Sequence, residues 1–189
     1  YALAQQAVAN HWTDIAVLLI LGFHTFARAG ELFQAKAGDF VFDQNSGTWT
    51  LPLSKSGQRQ GATESLLLTD NFVIALLRNL CKHKLPGDRL SSASPGLLRK
   101  RLSTLLEQLG LSAPYRWYSV RRGGATHAYR TSNNLQAICV RGRWNALKTA
   151  RIYICDAVAQ LTELSLPAPK QRRCHQLATL CRPDYLKCS

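Results

Sequence analysis

Methionine is absent from the 189 residues, and acidic side chains are scarce, with 11 Asp and Glu against 24 Lys and Arg. The chain opens on Tyr1 without a Met, so a fragment excised from a longer protein is expected. Long apolar runs are missing too. The longest, Ile15 to Phe23, has nine residues, whereas a membrane-spanning helix needs about 20. No membrane partner is therefore expected, and no basic–apolar–small leader opens the chain. The six cysteines form no CxxC pair. Cys174-His175, Cys181 and Cys188 do not have zinc-site spacing, so neither a metal nor another cofactor is expected. Two cysteines fall inside helical patterns, which suits reduced thiols and an intracellular location.

What the chain does have is positive charge and a core. The net charge of +13 points to a polyanionic partner, of which nucleic acid is the commonest. An apolar fraction of 46% suits one globular domain, or one domain plus a tail. Residues 1–10 read as a fraying helix or linker end. A nearly all-round apolar helix runs from Thr13 to about Ala27, as a central buried helix would. A short helical turn through Leu32 and Phe33 follows. Phe40-Val41-Phe42, Thr48 to Leu53 and Glu64 to Leu68 read as a three-stranded antiparallel sheet, with a turn at Gln44-Asn45-Ser46-Gly47. That places Lys55 at or near a hairpin tip. Asp70 or Asn71 caps a helix to about Lys84. Ser94-Pro95 opens another that ends near Gly110. Pro114 to Tyr118 reads as a loop, Ser119 to Arg130 as a helix, and Leu135 to Arg141 as a short helix stopped by Gly142. The class is α+β, mainly α, with residues 1–164 as the domain. Residues 165–189 form a basic tail, either a short helix or disordered.

The chemistry is concentrated between Tyr118 and Tyr153. Arg121 and Arg122 precede a Gly-Gly pair, and Trp144 stands nine residues before Tyr153. Tyr153 lies in an apolar-periodic run from Ala146 to Val158 that reads as a helix, with Asn145 as its N-cap. Upstream, Arg28 is followed three residues later by Glu31, at the spacing where helical side chains meet, so the carboxylate can hold the guanidinium. Tyr118 and Arg121 share that spacing at a helix start, where backbone N–H groups favour an anion. Each residue alone has an ordinary use: a helix-end cation, a solvated lysine, a core indole. His24, one turn before Arg28, reads as a packing histidine. His127, six residues after Arg121, falls on another helix face.

In this order and spacing, Arg28, Lys55, Arg121, Trp144 and Tyr153 resemble the tyrosine recombinase, or phage-integrase-like, family. They are more distantly similar to type IB topoisomerases. ArgAlaGlyGlu at 28–31 is similar to the family's Arg-x-x-Glu, and the likeness covers about Thr13 to Ala159. The wording at 121–126 and at 141–154 also looks like recombinases of eukaryotic mobile elements, which would place the protein in a nucleus. The resemblance implies a helical catalytic domain that cuts and rejoins double-stranded DNA through a 3′-phosphotyrosine at Tyr153. Arg28 and Arg121 would clamp the phosphate, Lys55 would protonate the leaving 5′-oxygen, Trp144 would shape the pocket, and Glu31 would support Arg28. Arg122, Arg141, Arg143 and Lys148 are expected to contact DNA. The family assembles as tetramers on DNA by exchanging C-terminal segments, so a free monomer and a DNA-bound tetramer are expected. Tyr118 departs from the pattern, since the family usually has His there. A phenol is a poor base near neutrality. This keeps open a DNA-binding derivative that has lost cleavage, and topoisomerase-like strand relaxation remains a further alternative.

Overall fold

The computed structural model describes residues 1–51, 63–111, 115–154, 159–161 and 165–186. At its centre lies α2 (Thr13–Thr25), in which Ile15 through Gly22 are all buried. The helix stops because Phe26 takes a left-handed conformation, at φ 51°. Arg28 then starts α3 (Ala29–Gln34), and its backbone N–H is taken by the Glu31 carboxylate at 2.6 Å. After a single 3-10 turn come β1 (Phe40–Phe42), β2 (Gly47–Leu51) and β3 (Glu64–Leu68), antiparallel in that order. Alternation decides the faces of the sheet. Phe40, Trp49 and Leu66 lie in register and point inward, while Val41 and Leu67 flank Thr48 on the outer face. The Trp49 ring is fully buried and stacks on Phe40 at 5.4 Å.

Helix α4 (Asn71–Lys82) is capped by Asp70, which accepts from the Phe72 and Val73 N–H groups. Helix α5 (Pro95–Gln108) has Ser94 as N-cap and Pro95 at its first position, and Gly110 just beyond its end has φ 67°. These local signals work as read from the sequence. Then follow α6 (Trp117–Ser132), α7 (Leu135–Arg141), α8 (Leu147–Tyr153) and α9 (Ala168–Leu186). The mainly-α architecture with a small antiparallel sheet is the expected one.

Three local expectations need correction, and the tail takes the helical one of its two expected forms. Ala2–Ala9 (α1) does not fray: Ala4 and Ala7 are buried where small side chains let it pack on α2 and α9. Helix α6 starts at Trp117, so Tyr118 lies inside the helix and not in a preceding loop. The cause is Trp117, which is buried with its indole N–H on the Leu98 carbonyl at 3.1 Å. Helix α8 is capped by Ala146 rather than Asn145, and it ends at Tyr153, with Ile154 extended. Residues 168–186 form a helix against α1, with Cys181 fully buried.

Two hydrophobic clusters result. The larger joins α1, α2, α3, the sheet, α4 and α5. The smaller joins Phe26, Ala125, Ile138, Cys139, Trp144 and Ala150. Where α2 meets α6, the helices approach so closely that a Cβ on Gly124 would overlap the Phe23 carbonyl oxygen. At Gly123 the nearest atom to an added Cβ is Phe23 Cε2, at 3.9 Å. The two glycines therefore predict opposite outcomes. Gly123→Ala should stabilise by about 0.5–1 kcal/mol through helix propensity. Gly124→Ala should destabilise by about 1–3 kcal/mol through overpacking. Chemical denaturation of both variants checks this, and two shifts of the same sign would refute it.

Candidate active site

Arg121 is the most enclosed charged side chain, at 1% exposure. Its Nη1 donates to the Phe26 carbonyl, and its Nη2 donates to the Gly142 carbonyl at 2.7 Å. Phe26 closes α2 and Gly142 closes α7, so a guanidinium on α6 ties two helix ends together. Its Nε–H is buried without a partner. Leaving a buried donor unmade costs about 1–3 kcal/mol, and more on a charged group. Such a donor suits an incoming acceptor. Burial first, and then the charges of Arg28 and Arg143, pull the Arg121 pKa down to about 10. It is still a cation at neutral pH.

Two aromatic rings pack against this cation, and a third stands beside them. The Arg121 Cζ lies 4.9 Å from the Trp144 ring centroid and 5.2 Å from that of Tyr153. The Trp144 and Tyr153 rings are 4.5 Å apart, and Tyr118 is 5.5 Å from Tyr153. Trp144 is nearly buried because Gly142 leaves room for its ring; a Cβ there would overlap the indole. The Trp144 Nε1–H meets no acceptor at hydrogen-bond geometry, yet it lies close enough to the Tyr153 hydroxyl to favour the phenolate.

Burial works against ionisation of Tyr153. The Tyr118 hydroxyl, the Arg121 charge, the Trp144 N–H and the Arg28 charge outweigh it, and the phenol is held below its usual value. Tyr118 moves the other way. Burial and then the Tyr153 hydroxyl push it up to about 12, so at neutral pH it remains a phenol.

Arg121, Trp144, Tyr153 and Tyr118 are thus brought together, and Arg28 lies near enough for its charge to act on Arg121 and Tyr153. Glu31 holds Arg28 as expected, with its Oε1 2.8 Å from Nη1, and leaves the arginine 35% exposed. Lys55 lies outside the described residues. Arg141 and Lys148 are exposed, with the Arg141 guanidinium 5.8 Å from the Phe26 ring. Arg122 Nη2 reaches the Ile152 carbonyl at 3.4 Å, joining α6 to α8. His127 packs beside Phe23, its ring 5.4 Å away. Arg143 is a correction. It was expected against DNA, but its side chain is only 9% exposed, held by Glu31 and Glu64. No sequence signal links Glu64 to Arg143, because they lie 79 residues apart. Glu64 is the site residue that the sequence did not reveal. Among the described residues no group of His, Cys, Asp and Glu could hold a metal ion.

The fold is similar to that of XerH site-specific recombinase bound to its difH substrate in a pre-cleavage complex. The TM-score is 0.60 at 19% identity, over 78% of this chain and 44% of that one. A post-cleavage complex of XerH with palindromic difH gives 0.55 at 18% identity, over 79% and 45%. The fold is that of a tyrosine recombinase catalytic domain. The chain spans less than half the length of the recombinase chains it matches. No family model matches the sequence, and no curated protein is similar to it in sequence.

In this fold the Glu31 carboxylate is held by both Arg28 and Arg143. Burial raises its pKa, but Arg143 and then Arg28 outweigh that and hold it below the ordinary carboxylate value. A carboxyl held low in the fold contributes stability above its unfolded pKa, about 4.3, and loses it as pH falls through the lower folded value. Glu31→Gln should destabilise by about 1–3 kcal/mol at pH 7, because Arg28 loses its carboxylate and Arg143 keeps only Glu64. It should also flatten the decline in melting temperature below about pH 5. Thermal unfolding across pH measures both, and an acid limb as steep as that of wild type would refute the assignment.

Proposed function

We propose that this chain is the catalytic domain of a site-specific DNA recombinase that cuts and rejoins double-stranded DNA through a phosphotyrosyl intermediate at Tyr153. The observation that supports this best is the meeting of Arg28 and Arg121, far apart in sequence, around one hydroxyl whose phenolate both favour. The unpartnered Arg121 Nε and Trp144 Nε1 donors add to it.

On this reading the Tyr153 phenol gives its proton to water, and the phenolate oxygen attacks phosphorus. Arg28 and Arg121 take the non-bridging oxygens of the five-coordinate state, where a planar fork suits phosphate. The bond to the 5′-oxygen breaks, and Lys55 gives that oxygen a proton. Because the new P–O bond to tyrosine replaces the old one, no hydrolysis intervenes and rejoining is the same path reversed. Preorganised charge does most of the work, and one lost donor typically costs on the order of 100- to 1000-fold. Tyr118, a neutral phenol in the usual histidine position, acts as a donor and not as a base. The Tyr153 ring lies over the Arg121 guanidinium, so on this reading the ring moves aside for a phosphate to reach that cation.

The strongly basic surface, with exposed Arg141 and Lys148, fits salt-sensitive contacts to the DNA backbone. Tetramer formation on DNA, with α9 as the exchanged segment, belongs to the same proposal. An origin in a eukaryotic mobile element rests on sequence wording alone.

Three outcomes test the reading. On nicked suicide DNA the wild type should trap a covalent adduct that Tyr153→Phe abolishes; normal DNA binding without any adduct would leave only the DNA-binding derivative that Tyr118 favours. The adduct rate should rise with pH as Tyr153 ionises, at a lower pH than an ordinary phenol, and Arg28→Gln should move that rise upward. Tyr118→His should raise the neutral-pH rate by about tenfold or more by supplying a base. Relaxation of supercoils without joining of two duplexes would instead indicate the topoisomerase-like alternative.

A further inference from the structure

We infer that Arg143 is a positioning residue of the proposed cleavage site: by binding Glu31 and Glu64 together, it fixes the Glu31 carboxylate in the place from which that carboxylate aims Arg28 at the phosphate. The inference rests on the recombinase reading.

Arg143 is one of the few non-glycine residues with a left-handed backbone, at φ 55°. Such a conformation costs about 1–3 kcal/mol and persists only where the surroundings enforce it. Here the side chain supplies the reason. Its Nη2 donates to Glu31 Oε2 at 2.8 Å, and its Nη1 reaches Glu31 Oε1 and Glu64 Oε2, each at 3.1 Å. Glu31 in turn holds the Arg28 Nη1 at 2.8 Å. The charges run Glu64, Arg143, Glu31, Arg28, alternating in sign and balanced overall. Without Arg143, two largely enclosed carboxylates would compete for Arg28 beside a site that must accept a phosphate. A lysine cannot fully replace it, because one ammonium lacks the planar fork that spans two carboxylates.

The neighbours of Arg143 give the turn a wider reach. The Gly142 carbonyl holds Arg121, and the Trp144 ring packs against Tyr153. Three consecutive residues therefore touch Arg121, Arg28 through Glu31, and the nucleophile. Glu64 is also the first residue of β3, so Arg143 fastens the sheet to the same centre.

The test uses Arg143→Gln and Arg143→Lys in the whole chain, each checked for folding by thermal unfolding. At saturating nicked DNA, Arg143→Gln should slow adduct formation on the order of 100-fold. Its DNA affinity should stay within about threefold of wild type, and Arg143→Lys should recover part of the rate. Equal losses of binding and cleavage, or a rate within about threefold of wild type, would overturn the inference. A second readout needs no cleavage: the Tyr153 phenolate midpoint, by ultraviolet titration of each protein against its own Tyr153→Phe counterpart. Displacing Arg28 should move that midpoint to higher pH in Arg143→Gln; an unchanged midpoint overturns the inference. Where Arg143→Gln alone does not fold, the pair Arg143→Gln with Glu64→Gln keeps the charge balanced and carries the same readouts. If the wild type traps no covalent DNA, the recombinase reading fails separately, and the titration still decides the role of Arg143.

Discussion

The site depends on one cation set between two carbonyl oxygens. Arg121 reaches from α6 to the ends of α2 and α7 and accepts burial in return for two strong charge-assisted hydrogen bonds. That arrangement joins the main core, built on α2, to the smaller cluster that carries Trp144 and Tyr153. It also accounts for two backbone features nearby. Phe26 turns left-handed and presents its carbonyl, and Gly142 lacks a side chain where the indole must pass. Moving either carbonyl would leave a buried guanidinium short of acceptors, so the helix ends and the cation hold one another in place.

Around this joint, cations outnumber anions only slightly. Arg28, Arg121 and Arg143 face Glu31 and Glu64, which leaves about one uncompensated positive charge at short range. The carboxylates lower repulsion among the guanidiniums in the DNA-free state. Excess positive potential is thus concentrated at Arg28 and Arg121, on the side where the Tyr153 hydroxyl lies. The same potential favours the Tyr153 phenolate, so the field that would attract an anion also eases ionisation of that hydroxyl.

Much of the fold was legible because its signals are local. Asp70, Ser94 with Pro95, and Gly110 each act within one helical turn, and inward alternation at Phe40, Trp49 and Leu66 needs only strand periodicity. The parts that were not legible depend on distant partners. α1 is ordered by α9 from the other end of the chain. Trp117 extends α6 toward its start by reaching the Leu98 carbonyl on α5, which the nearby Pro114 disguises. At the site, order and spacing singled out Arg28, Arg121, Trp144 and Tyr153, and the fold sets Trp144 and Tyr153 against the Arg121 guanidinium. The burial of Arg143 was not, since a surface arginine and a buried one look alike until Glu64 is brought beside it.

Tyr153 is the last residue of α8, and the chain leaves it in an extended conformation. The helix is anchored one turn earlier, by the fully buried Ala150. A side chain at a fraying helix end can be re-aimed by rotating its own dihedrals and those of a neighbour, without disturbing the anchor. The ring can therefore exchange its place over the guanidinium for one beside it at small energetic expense. A short terminal turn here serves as a hinge for the Tyr153 ring.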